Sequence, residues 1–87
     1  MKIKDGFMLR KIADNNIVVA VGKATLDFSG MITLNDSAVF LWSLLQNEIS
    51  VDELTTQMCQ AYDVDFDTAK ADVDEFISQL KGAGIVE

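Results

Sequence analysis

The chain has 87 residues with a net charge of −7, one cysteine, no histidine and no proline. One domain of this length buries only roughly 60 to 65% of the surface its unfolded chain exposes, so a single modest core is expected. Without histidine there is no hydrolytic triad, no common general base and no His/Cys cluster for a structural zinc; the lone Cys59 cannot close an internal disulfide. The composition counts against an enzyme without excluding one, and the expectation is a single soluble, cytoplasmic domain spanning residues 1–87, with no metal, no cofactor and no membrane segment.

Charge is unevenly placed. Residues 1–34 hold five basic and three acidic side chains, whereas residues 35–87 hold two basic and eleven acidic. The second half therefore repels phosphate, which argues against nucleic acid as a partner.

Strands come first. FMLRKIA (Phe7 to Ala13) and IVVAV (Ile17 to Val21) are β-prone runs, and Asp14-Asn15-Asn16 between them tolerates the left-handed backbone of a hairpin turn. A third strand is expected over Phe28 to Leu34, with Gly30 marking a bulge or a close backbone approach.

Helices follow. Asn35 caps the first, with Leu34 and Val39 as a hydrophobic staple, and Phe40, Leu41, Trp42, Leu44 and Leu45 so cover its circumference that it must be largely buried. Ser50 to Glu53 forms a capping box opening a second helix, whose inward stripe reads Leu54, Met58, Ala61 and Tyr62. A third helix begins near Asp65 to Asp67, buries Ala69, Val73, Phe76, Ile77 and Leu80 at 3.6-residue spacing, and ends at Gly82 and Gly84. Ile85-Val86 can then fold back on the core. The expected fold is α+β, a winged helix-turn-helix with a three-stranded N-terminal antiparallel sheet followed by three helices.

Three chemical readings compete with plain structure. Asp36-Ser37 at a helix start invites comparison with an acyl or peptidyl carrier domain, but the preceding glycine and the large apolar residue after the serine are missing, and carriers are helical bundles. The acidic run from Asp63 fails as a calcium loop, because its sixth position is Thr68 and its twelfth is Asp74. A winged helix-turn-helix regulator remains the alternative from another class, although Asp65, Asp67, Asp72, Asp74 and Glu75 make helix three a poor partner for DNA. The third strand is the remaining candidate. If it lies at a sheet edge it could take an extended peptide by strand addition, unless the N-terminus or Ile85-Val86 covers it.

GMITLNDSAVFLWSLL, Asp52-Glu53-Leu54, YDVD and AKADVDEFISQLKGAGIVE, in that order, closely resemble the PqqD-like family of recognition elements for ribosomally made precursor peptides. The most specific part is Leu34-Asn35 with Trp42 seven residues after the asparagine, joined to Asp72-Val73 and Phe76 through Leu80. One departure is Ala20, where many relatives place a proline in the second strand. The resemblance implies a non-catalytic peptide chaperone that binds the leader segment of a precursor peptide beside the third strand and presents it to a modifying enzyme of the radical-SAM type. Carried onto this chain, the strand-side contacts would be Phe28, Ser29, Gly30, Met31, Ile32 and Thr33. The helix-side wall would draw on Lys70, Val73, Asp74, Ile77, Leu80 and Lys81. It does not distinguish pyrroloquinoline quinone synthesis from other peptide-modifying pathways.

Overall fold

The computed structural model describes residues 1–22 and 32–86. Three strands, β1 (Phe7–Ile12), β2 (Asn15–Ala20) and β3 (Ile32–Leu34), form an antiparallel sheet in the order β1-β2-β3. Three helices follow: α1 (Asp36–Leu44), α2 (Val51–Tyr62) and α3 (Phe66–Gly82). The α+β reading holds element by element.

The hairpin turn is tighter than the asparagine run suggests. Ala13 and Asp14 carry φ of 50° and 68°, the pair of positive angles that a two-residue type I′ turn requires, and both asparagines join β2. The core explains this register. With Ile12 opposite Asn15, Leu9 comes opposite Val18 and both face inward, Val18 with no exposed surface; a one-residue slip would turn it to solvent.

The first two helices start on the expected caps, and the third is capped by Asp65, the first residue of the expected Asp65 to Asp67 start. Asn35 Oδ1 accepts from the Ala38 N–H at 2.9 Å, Ser50 Oγ from Glu53 N–H at 3.1 Å, and Asp65 Oδ1 from Thr68 N–H at 3.1 Å. Ser37 donates its hydroxyl to Asn35 Oδ1 at 3.0 Å, so it belongs to the capping arrangement. At the end of α3, Gly84 takes a φ of 74°, its N–H donates to the Lys81 carbonyl and that of Ile85 donates to the Leu80 carbonyl. This is a Schellman motif, and it lays Ile85 on Leu80 with both fully buried.

All five expected inward residues of α3 are buried, together with Trp42, Leu41 and Leu45 of the α1 region. On α2 the inward stripe needs correction: Leu54 and Met58 are buried, but Ala61 and Tyr62 are exposed, and Thr55 takes the inward position. Thr55 satisfies its hydroxyl by donating to the Val51 carbonyl at 2.8 Å, which makes a polar residue affordable inside. Tyr62 stands edge-on to the Phe40 ring at 5.6 Å and donates its hydroxyl to the Asp36 carbonyl at 3.5 Å. Cys59 is half-buried and packs on the core as a small apolar side chain.

The two chain ends meet each other. Val86 bridges Ile3, Lys4 N–H donates to the Ile85 carbonyl at 2.8 Å, Ile3 N–H to the Leu45 carbonyl at 3.0 Å, and Ile49 N–H to the Met1 carbonyl at 3.0 Å. Both segments that could have covered the β3 edge are therefore committed elsewhere.

Candidate functional site

The sheet has two outer strands, β1 and β3, and the direction of the main-chain groups on β3 follows from the hairpin. In an antiparallel ladder, residues alternate between pairs that exchange both hydrogen bonds and pairs that exchange none. The two-residue turn makes Ile12 and Asn15 a bonded pair, and Val21 N–H donating to the Gly6 carbonyl at 2.8 Å keeps the same parity at the far end. Asn15, Ile17, Val19 and Val21 thus turn their main-chain groups to β1, while Asn16 and Val18 turn theirs to β3. Their partners are Leu34 and Ile32. Thr33, opposite Ile17, is left with N–H and C=O pointing away from the sheet, and no strand pairs with that edge among the described residues.

A hollow of about 230 Å³ opens beside this edge. One wall is Thr33, Leu34, Asn35, Ser37, Ala38 and Leu41; the other is Asp72, Glu75, Phe76 and Gln79 of α3. The four α3 residues recur at i, i+3, i+4 and i+7, one continuous stripe of the helix. Phe76, 6% exposed, is the buried apolar residue of the helix wall, and Asp72 and Glu75 beside it are exposed carboxylates. A second, more open hollow of about 500 Å³ lies where the end of β3 meets the β1–β2 turn and is lined by Asp14, Asn15, Asn16, Thr33, Leu34, Asn35 and Asp36.

Of the residues singled out from sequence, Ile32 is half-buried and Thr33 exposed at the strand edge, whereas Phe28, Ser29, Gly30 and Met31 lie outside the described residues. The structure does not gather the helix-side set into the hollow. Val73, Ile77 and Leu80 are core residues with 0%, 5% and 0% exposure. Lys70 and Asp74 pair with each other at 2.8 Å, and neither they nor Lys81 lines the hollow. The reason is geometric: a buried stripe has two flanks, and Lys70, Asp74 and Lys81 occupy the one opposite Asp72, Glu75 and Gln79. Periodicity finds the stripe; only the position of β3 and α1 selects the flank.

The carboxyl of Asp65 at the start of α3 is held below its ordinary value near 3.8, chiefly by its hydrogen bond to Thr68. It is a cap and lies outside the hollow's lining.

The geometry above is that of a sheet edge facing a helix across an open hollow, and the family is decided by the sequence match that spans it. The model of the family described as coenzyme PQQ synthesis protein D (PqqD) matches residues 17–86, from β2 to the terminal bridge. The chain belongs to the PqqD family. Its fold is that of two solved structures. TbiB1, in complex with the TbiA(beta) leader peptide, superposes with a TM-score of 0.77 at 24% identity, over 100% of this chain and 95% of that one. Lasso peptide synthetase B1, complexed with a leader peptide, gives 0.73 at 17% identity over 97% and 93%. No curated protein matches the chain significantly. Against this PqqD frame the carrier reading loses its footing, since Asp36-Ser37 opens a helix that follows a sheet, with its serine engaged by Asn35.

Proposed function

We infer that this PqqD-family protein is a non-catalytic recognition domain that binds the leader segment of a ribosomally synthesised precursor peptide by strand addition to β3. The carrying observation is Thr33, whose main-chain donor and acceptor face outward beside the hollow between β3 and α3. The two solved relatives of the same fold hold leader peptides, which supports a ligand of this kind. Main-chain pairing gives a grip tolerant of sequence, and the hollow over Phe76 and Leu41 takes a side chain from alternate positions of the added strand.

Phe28 to Thr33 are the proposed strand-side contacts, and the proposed helix side is the stripe Asp72, Glu75, Phe76 and Gln79. The domain then presents the core segment of its precursor to a modifying enzyme, which we place in the radical-SAM class on the family resemblance. A leader that orders on binding spends part of its interaction energy on lost chain entropy, so moderate affinity and ready release follow, as handing on a peptide requires. The test is binding. A labelled leader segment of the cognate precursor peptide binds saturably at micromolar concentration and the core segment alone does not; equal binding of the two segments contradicts leader recognition.

A further inference from the structure

The lining of the β3 edge has a charge pattern that the strand-addition reading leaves unused. Four carboxylates surround the strand end from both sides: Asp72 and Glu75 across the first hollow, Asp14 and Asp36 in the second. No lysine or arginine lines either hollow among the described residues. The described lysines and arginine are placed elsewhere: Lys70 is paired with Asp74, Lys81 is on the far flank of α3, Lys2 and Lys4 lie by the terminal bridge, and Arg10 and Lys11 are on β1 beyond β2. Residues 23–31 hold Lys23 and Asp27 and so add no net charge. The N-terminus of α1 contributes positive potential here, but a helix terminus carries about half an elementary charge against four full negative ones. Nor are these carboxylates answered within the hollows, for the described ion pairs involve Glu48 and Asp74.

We propose that the leader taken by this protein is basic, carrying lysine or arginine where the added strand passes Thr33 to Asn35, and that Asp72 and Glu75 select it. The proposal rests on the strand-addition reading: the strand edge and the hollow define the site, and the carboxylates set the chemistry of what enters it. An apolar side chain seated over Phe76 brings the residue two places along the strand, which shares its face, toward the two α3 carboxylates. The long methylene stems of lysine and arginine suit that place, covering apolar wall while the charge stays at the rim. An acidic leader would be repelled by the same groups, which gives discrimination among leaders that the sequence-tolerant main-chain grip cannot supply.

The experiment is selection of short random peptides by the full chain, followed by binding of the selected peptides to variants. Enrichment of lysine and arginine over glutamate and aspartate is expected. The variant D72N/E75Q should weaken a selected basic peptide by about threefold to tenfold, the range for two exposed ion pairs, and should leave its glutamine-substituted counterpart within about twofold. The charge-matched variant D67N/D74N, altered on the other flank of α3, should change neither. At ~1 M salt, where the Debye length is about 3 Å, the preference should vanish. Selected peptides that shift the amides of Ile32 to Leu34 yet show no basic excess, or that bind D72N/E75Q equally well, overturn the charge selection and leave strand addition standing. A selection that returns nothing, or peptides that leave those amides unmoved, overturns strand addition and the proposal with it.

Discussion

Thr33 stands opposite Ile17 in the β2–β3 ladder as a pair that exchanges no main-chain hydrogen bonds, so the one central residue of β3 directs its N–H and C=O to the open edge. Neighbouring Ile32 and Leu34 spend theirs on Val18 and Asn16. This difference between adjacent residues makes the strand-addition account open to a single-residue test.

Proline at position 33 removes an outward N–H and leaves the ladder to β2 intact, as edge strands tolerate. Thr33→Pro is expected to weaken leader binding about tenfold, the upper end of one net hydrogen bond, while Thr33→Ala changes it less than about twofold. Ile32→Pro breaks a ladder bond instead and should lower the melting temperature. Calorimetric titration with the folded variants decides; equal effects of proline and alanine at 33 argue against main-chain pairing.

The end of α3 offers a stability prediction free of packing. A methyl added at Gly84 meets no atom within 4 Å, but the residue's φ is 74°. Gly84→Ala should therefore cost about 1 to 2 kcal/mol through backbone strain alone. Urea denaturation measures it, and an unchanged midpoint would mean that the Schellman turn does not constrain the tail.

Leu45 is fully buried where the N-terminal segment crosses the end of α1, its carbonyl accepting from Ile3 N–H. Leu45→Ala should destabilise by about 2 to 5 kcal/mol, a large share of what a domain this small possesses. A cost well below that range would mean the site collapses around the missing methyls.

Asp65 gives a pH signature. Its folded carboxyl titrates below the ordinary value, so its capping contribution is fully present above that value and is lost as pH falls through the depressed one. The Thr68 amide resonance should move with that titration, and Asp65→Asn, which keeps a capping oxygen, should abolish the movement. A Thr68 amide that titrates identically in the variant would point to another group.

Much of this fold was legible because its signals are local. Asn35, Ser50 and Asp65 are caps by residue type and position, and the stripe from Ala69 to Leu80 is fixed by period. The misreadings arose where tertiary packing decides. Thr55 is inside because its hydroxyl closes on its own helix, and Tyr62 is outside because Phe40 gives its ring a surface partner. For the candidate site, Thr33 could be named from sequence but its outward parity could not, since that depends on the two-residue turn at Ala13-Asp14. The helix wall expected from sequence and the stripe that lines the hollow are opposite flanks of the same helix, because Lys70 and Asp74 look as available as Asp72 and Glu75 until β3 is positioned beside the latter.

The most direct measurement is an amide-resolved titration of the isotope-labelled protein with the proposed cognate leader peptide. Strand addition beside α3 predicts saturable shifts at Ile32, Thr33 and Leu34 and along Asp72, Glu75, Phe76 and Gln79, with Lys70, Asp74 and Lys81 little changed. Shifts confined to the Lys70 flank or to β1, with Thr33 still, would contradict it.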